Sequence, residues 1–101
     1  MRIIIFLSPT DKYGTKMAYT KLRKFLISDG YERIAPEVFM RIATGRKGVE
    51  KHLRRLDAYD PGSGTVRVIK LTEKQYANVY YLTGGPSEQE ITVSNNCHIS
   101  L

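Results

Sequence analysis

The sequence predicts an α+β fold, a ferredoxin-like βαββαβ sandwich in which one antiparallel sheet carries two helices on one face. Three observations support this prediction: an apolar run near the amino terminus, two stretches of helical period, and alternating stretches between and after them. The length of 101 residues fits one compact domain. A domain this small buries only part of its apolar surface, so we expect a homodimer that shares core.

The first element is the run Arg2 to Ser8, which is apolar almost throughout. Such a run predicts a strand that is buried on both faces. Pro9 cannot donate to a sheet ladder, and the turn-forming residues of "SPTDKYG" predict a loop after it.

The second element is a helix that starts at Thr15. Its predicted apolar stripe has helical spacing and consists of Ala18, Leu22, Phe25 and Leu26. Gly30 suits the left-handed residue that ends a helix.

The middle of the chain contains an alternating stretch and then a second helix. From Glu32 to Ala43, one face holds Ile34, Pro36, Val38, Met40 and Ile42, and the other holds Arg33, Ala35, Glu37, Phe39 and Arg41. Pro36 should cause a bulge or lie at an edge. We read Phe39, together with the doubly apolar first strand, as a sign that the sheet face opposite the helices is also covered. The helix spans about Arg46 to Asp57, with Val49, Leu53 and Leu56 buried and with Lys47, Lys51, Arg54 and Arg55 opposite.

The last part of the chain contains a turn, a strand and a tail. "DPGSG" predicts the turn, and "TVRVIKLT" predicts a strand with Val66, Val68 and either Ile69 or Leu71 inward. Thr72 and Gln75 have the spacing of a capping box and predict one helical turn. We expect residues 1–82 to form the domain and residues 83–101 to form a tail, in which Glu90 to Val93 is an added strand for protein docking.

Charge is distributed unevenly along the chain. Residues 1–74 contain all 16 lysines and arginines and eight of the ten acids, giving +8, whereas the remainder has two acids and no cation, giving −2. The body can therefore attract a polyanion, and the tail cannot do so by charge. The alternative is a solvated basic surface without a partner.

The reactive residue types do not form an active site in the sequence. His52 and His98 lack any recognised ligand spacing, and His52 fits the boundary of a core better than a catalytic role. Cys97 is the only cysteine, which excludes an internal disulfide and a cysteine-based zinc cluster. The apolar run is too short for a signal peptide or membrane span, so we expect a cytoplasmic protein without a membrane partner.

Basic residues that flank the two helix starts are the best binding candidates. We expect Lys12, Lys16, Arg46 and Lys47 to contact nucleic-acid phosphates, because backbone amides at helix starts also favour phosphate. Arg54 and Arg55 are weaker candidates, since they can simply be solvated.

Five ordered segments over residues 1–82 resemble the small CRISPR spacer-acquisition proteins of the Cas2 family, in its type II variety: "SPTD", "YTKLRKFLISDGY", "VFMRIATGR", "VEKHLRRL" and "GTVRVIKLTEKQY". The resemblance implies a homodimer packed sheet to sheet, which bridges dimers of the larger CRISPR integrase and holds duplex DNA. In many members an aspartate ends the first strand, and two copies of it hold Mg²⁺ in a nuclease. Alignment of "FLSPTD" with the family pattern places Leu7 at that aspartate, so the resemblance puts the nuclease activity in question.

Three functions remain open at this point. The first is a structural adaptor for spacer integration that has no catalytic residue and requires no cofactor. The second is a Mg²⁺-dependent endonuclease of RNA or DNA, of the same family or a toxin-like relative, in which Asp11 is a displaced ligand. Asp11 also suits a turn. The third is a nucleic-acid-binding module without an integrase partner. The tail lacks cations and alternates apolar residues, which favours the first function over the third.

Overall fold

The computed structural model describes residues 1–10 and 15–86. The elements in chain order are β1 (Arg2–Ser8), α1 (Thr15–Ser28), β2 (Glu32–Ala35), β3 (Val38–Ile42), α2 (Gly45–Asp57), β4 (Thr65–Leu71) and α3 (Glu73–Tyr76). The strands form one antiparallel sheet of order β2-β3-β1-β4. This order, with α1 and α2 on one face, confirms the predicted ferredoxin-like fold. The predicted strand Glu90 to Val93 lies outside the described residues.

The core lies between β1 and the two long helices. Ile3, Ile5 and Leu7 alternate along β1 and pack in one buried cluster with side chains of α1, β3 and α2. Full burial of each large apolar side chain contributes about 1.5–3 kcal/mol. On the other face of β1, Ile4 is buried and Phe6 is half-buried. The prediction of a strand buried on both faces is confirmed.

The stretch from Glu32 to Ala43 is a hairpin rather than one continuous strand. Pro36 lies in the turn, and the pairing of β2 with β3 shifts register between Arg33 and Ala35. Pro36 lacks the N–H that a continuous ladder needs, which explains the break. Phe39 is fully buried among the helix-facing residues, so our use of it as a sign of cover on the opposite face was wrong.

The helices end and begin close to the predicted residues. Gly30 has a φ of 93°, and the chain reverses there through a hydrogen bond from the Tyr31 N–H to the Leu26 carbonyl. The second helix begins at Gly45, one residue earlier than predicted, and buries Val49 and His52. Thr72 and Gln75 form the predicted capping box at α3.

Strand β4 is an edge strand, and its sides are only partly covered. Val66 packs against the core cluster, but Val68 is 37% exposed and Ile69 is 41% exposed. Val68 pairs with Ile5 and faces the helix side as predicted, although its side chain stays partly exposed. Ile69 and Leu71 pair with Ile4 and Arg2 on the opposite face, so the prediction that one of them points inward was wrong. Across the described ranges, no helix has both the length and the apolar character that crossing a membrane requires.

Candidate nucleic-acid interface

Leu7, near the end of β1, lies at the position where the family resemblance implies a metal-binding aspartate. Its side chain is 5% exposed and belongs to the buried cluster, and its neighbour across the sheet is Val66. The Leu7 N–H donates to the Glu37 carbonyl at 2.9 Å, which fixes the backbone there. A leucine side chain has no atom that can bind a metal ion, so Leu7 contributes only to the hydrophobic core. Ser8 is exposed, and Asp11 lies outside the described residues.

The loop before β4 packs tightly against the end of β1. The Tyr19 hydroxyl donates to the Ser63 carbonyl at 2.7 Å, and the hydroxyls of Thr15 and Ser63 are 2.9 Å apart. A Cβ at Gly64 would lie 2.5 Å from the Ser8 carbonyl oxygen. Within residues 1–10 and 15–86, no three acidic, histidine or cysteine side chains come together as a metal site.

The predicted binding residues within the described ranges are all exposed. Lys16 lies in the first turn of α1, and Arg46 and Lys47 lie in the first turn of α2. The first turn of α2 has no acidic residue, and its cap residue Thr44 makes no side-chain capping hydrogen bond. Both features leave this helix start favourable for an anion. Lys12 lies outside the described residues.

The structure does not bring these cations together in one protomer. Arg2, at the start of β1, pairs with Ile42, which leads directly into α2. Ser8, at the other end of β1, pairs with Thr65, close to the Thr15–Ser63 contact at the start of α1. Lys16 and the Arg46–Lys47 pair therefore lie at opposite ends of the sheet.

Several other arginines are used inside the fold. Arg23 makes two hydrogen bonds to the Glu37 carboxylate, at 2.8 and 2.7 Å. The hydrogen bond from Arg23 lowers the pKa of Glu37, and the same bond raises the pKa of Arg23. The Arg41 guanidinium donates to the backbone carbonyls of Asp29 and Ile42. Because these guanidinium groups already donate hydrogen bonds within the fold, we expect phosphate contacts from other cations.

Exposed cations continue from the start of α2 along its outer surface. Lys51 and Arg54 follow Lys47 at intervals of four and three residues, so the three share one helix face. Arg55 differs, because it donates to an oxygen of Asp29 at 2.7 Å. We refer to Arg46, Lys47, Lys51 and Arg54 as the α2 row.

His52 has a structural contact. Its side chain is buried, and Nδ1 lies 3.0 Å from an oxygen of Asp29 in the turn after α1. The neighbouring Tyr31 is also buried, and burial, followed by the Asp29 charge, raises its pKa to about 12. This arrangement agrees with the prediction that His52 lies at the boundary of a core.

The sheet face opposite the helices contains an apolar groove of about 380 Å³, which we call the open-face groove. Its lining includes Ile4, Phe6, Ile34, Val38, Tyr76, Val79 and Tyr81. The lining residue Tyr76 also contacts Arg2, whose guanidinium lies 4.0 Å from the centre of the Tyr76 ring and 3.0 Å from the Glu73 carboxylate. The sequence offered no signal for this contact, since 71 positions separate Arg2 from Glu73.

Comparison with known proteins identifies a set of relatives. The chain is 41% identical over 95 residues to the CRISPR-associated endoribonuclease Cas2 of Acidovorax ebreus, covering 93% of each chain. It is 34% identical over 82 residues to the protein of that name from Ligilactobacillus salivarius, covering 81% of each. A Streptococcus mutans protein of that name is 31% identical over 94 residues, covering 93% of this chain and 85% of the relative. No family model matches the chain.

Proposed function

The chain belongs to the CRISPR-associated Cas2 family, and we propose that it acts as a structural adaptor in spacer acquisition rather than as a nuclease. In this function a homodimer bridges two dimers of the CRISPR integrase and holds duplex DNA by its backbone. The adaptor requires neither a metal ion nor a catalytic residue.

The observation that carries the proposal is the burial of Leu7. The resemblance of "FLSPTD" to the family pattern places this residue at the family's metal-binding aspartate. Metal-dependent phosphodiester cleavage needs carboxylates that hold the ion beside the phosphate. A leucine packed in the core cannot replace that carboxylate, and a serine hydroxyl alone, such as that of Ser8, is a poor Mg²⁺ ligand.

The exposed cations support the DNA-binding part of the proposal. The α2 row is free of ion pairs with the described acids, and it begins at a helix start without an acidic residue. Contacts of this kind neutralise phosphates and do not read base sequence. A dimer would present two such rows together with two copies of Lys16, so one duplex could contact cations that a single protomer holds apart.

A cleavage assay tests the absence of nuclease activity. We expect the purified protein to leave RNA and DNA intact in Mg²⁺ or Mn²⁺, because the position of the family's carboxylate is apolar. The alternative function is a Mg²⁺-dependent endonuclease, and the similarity to endoribonucleases supports it. Turnover that persisted through purification and vanished in Asp11→Ala would favour that alternative.

Salt titration of DNA binding tests the cation assignment. We expect duplex affinity to be independent of sequence and to fall steeply with salt. Arg46→Gln with Lys47→Gln should lower the log–log slope by about two for each protomer that contacts the duplex, and so by about four for the dimer. The matched control is Lys21→Gln with Lys70→Gln, which removes the same charge from exposed positions away from both helix starts and from the open face of the sheet. Equal losses in both double variants would show that only net charge matters and would contradict the assignment.

A further inference from the structure

We propose that a groove beside the edge strand β4 is a docking site for a segment of a partner protein that carries an arginine between apolar side chains. The β4 groove has a volume of about 410 Å³ and lies between α1, the end of α2, the loop before β4 and β4 itself. Val68 lines it and pairs with the core residue Ile5, so the groove is on the helix-facing side of the sheet. It therefore stays accessible in a homodimer that packs through the open face.

The walls of the β4 groove are apolar. They are formed by Leu22 of α1, Leu56 of α2, and Val66 and Val68 of β4. Leu22 is buried at the floor, whereas Val68 is 37% exposed although it lies on the helix-facing side. Removal of such apolar surface from water by the side chains of a partner stabilises a complex. The volume of the groove is that of a site for a few side chains rather than for a whole helix.

The rim of the groove is acidic in a domain that is otherwise basic. Asp57 ends α2 and Asp60 lies in the following loop, and both line the groove and are exposed. Neither carboxylate forms an ion pair with a cation of the described residues. Among those residues no lysine or arginine lines the groove. The local excess of acid repels nucleic-acid phosphates and attracts a cationic side chain.

An aromatic ring between the two aspartates favours arginine as that cation. Tyr59 lines the groove and stacks on Phe25, with the ring centroids 4.2 Å apart and an interplanar angle of 14°. Tyr59 is still 41% exposed, so part of its ring is available to an occupant. A guanidinium group is planar, donates two parallel hydrogen bonds to a carboxylate and stacks on aromatic rings. It can therefore contact an aspartate and Tyr59 together.

The loop that carries the acidic rim is held in place by the fold itself. The Asp60 carboxylate accepts a hydrogen bond from the Gly62 N–H at 2.9 Å. The Ser63 carbonyl accepts from the Tyr19 hydroxyl, and Gly64 lies against the Ser8 carbonyl. Because the groove is formed before a partner arrives, binding requires little further ordering of the loop.

Titration of the ¹⁵N-labelled full chain with the peptide acetyl-Leu-Arg-Leu-amide tests the proposal by NMR. We expect saturable shifts confined to amides of the groove, among them those of Gly62 and Val68. Asp57→Asn and Asp60→Asn should each weaken binding about threefold, the effect of losing an exposed ion pair. An asparagine at position 60 keeps the oxygen that accepts from Gly62, so the loop is preserved. The matched control is Glu50→Gln, which removes an exposed acid of α2 outside the groove and should leave the affinity unchanged.

Four further probes distinguish the proposed occupant from others. Peptides with glutamine in place of the arginine, or with alanine in place of both leucines, should bind more weakly than the original peptide. Spermidine and duplex DNA should not produce the same shifts at these amides. Equal binding without the arginine would assign the groove to a purely apolar ligand, equal binding of spermidine to a small cation, and the same shifts with DNA to the nucleic-acid interface. Any of these results, or no shift at the groove amides with millimolar peptide, overturns the proposal.

Discussion

At Asp29, one carboxylate accepts hydrogen bonds from two residues of α2, His52 and Arg55. Its backbone carbonyl also accepts from Arg41 of β3. A single residue in the turn after α1 thus links three elements of the fold. Tyr31 lies beside it with a buried hydroxyl that has no hydrogen-bond partner in the described structure.

The Tyr31 hydroxyl leads to a prediction about stability. A buried hydroxyl without a partner costs free energy, so Tyr31→Phe should leave the free energy of unfolding unchanged or raise it by about 1 kcal/mol. Tyr19→Phe is the matched control, because that hydroxyl donates to Ser63 and its loss should cost about 1 kcal/mol. Chemical denaturation at neutral pH measures both values. A large loss in Tyr31→Phe would reveal a hydrogen bond at this hydroxyl.

The same residue has a pH dependence with a defined sign. In the folded protein the pKa of Tyr31 is about 12, compared with 10.0 for an unperturbed tyrosine. The unfolded chain therefore loses this proton first, so the contribution is fully present below pH 10 and is lost as the pH rises toward 12. We expect the alkaline loss of stability to be smaller in Tyr31→Phe than in the original protein.

At the scale of an element, the loop before β4 packs against the end of β1 and restricts its backbone position. Gly62 and Gly64 both have positive φ, 75° and 69°. They differ in their surroundings, because a Cβ at Gly62 meets nothing within 4 Å, whereas one at Gly64 would clash with the Ser8 carbonyl and the Tyr19 hydroxyl. The backbone of β1 cannot move away easily, since Leu7 is held by the core on one side and by the Glu37 carbonyl on the other.

This contrast predicts unequal effects of the same substitution. Gly62→Ala should lower the free energy of unfolding by about 1 kcal/mol, which is the strain of an alanine in the left-handed conformation alone. Gly64→Ala should cost about 2–4 kcal/mol, because the displaced strand end adds overpacking to that strain. Urea denaturation of the two variants provides the comparison. Equal losses of unfolding free energy in the two variants would show that the end of β1 can shift to accommodate the added Cβ.

At the scale of the whole molecule, the open face of the sheet is apolar, and within residues 1–10 and 15–86 neither α1 nor α2 covers it. Ile69 and Val68 are neighbours on edge strand β4 with similar exposure, 41% and 37%. Ile69 pairs with Ile4 on the open face, whereas Val68 pairs with Ile5 on the helix-facing side. An apolar sheet face of this kind suits the proposed sheet-to-sheet homodimer.

The two neighbours make a direct test of that homodimer. We expect Ile69→Glu to shift the protein to a monomer, because a carboxylate would be buried between two sheets. Val68→Glu should leave the dimer intact, since its side chain points to the helix side. Sedimentation velocity over a range of concentrations measures the assembly. A dimer that survived Ile69→Glu but dissociated in Val68→Glu would place the interface on the other face.

The sequence by itself determined the order of the elements and, to within about one residue, the ends of the two long helices, but it showed Glu32 to Ala43 as one alternating stretch rather than as the two strands β2 and β3. The helical periods of α1 and α2, the left-handed Gly30 and the Thr72–Gln75 capping box all depend on residues within one or two turns of each other. Such local patterns are fixed by backbone geometry and are therefore readable before folding. The exposure of Lys16, Arg46 and Lys47 was predictable for the same reason.

Only the tertiary structure decided which surface each face of an element meets. The alternating pattern assigned Phe39 and Val38 to opposite faces of the sheet. It did not indicate that the helices cover the face that contains Phe39. The period of β4 could not reveal that Val68 stays exposed, because cover depends on where the helices cross the sheet. The Arg2–Glu73 contact and the placement of Lys16 far from Arg46 likewise follow from strand order, which joins residues that are distant in sequence.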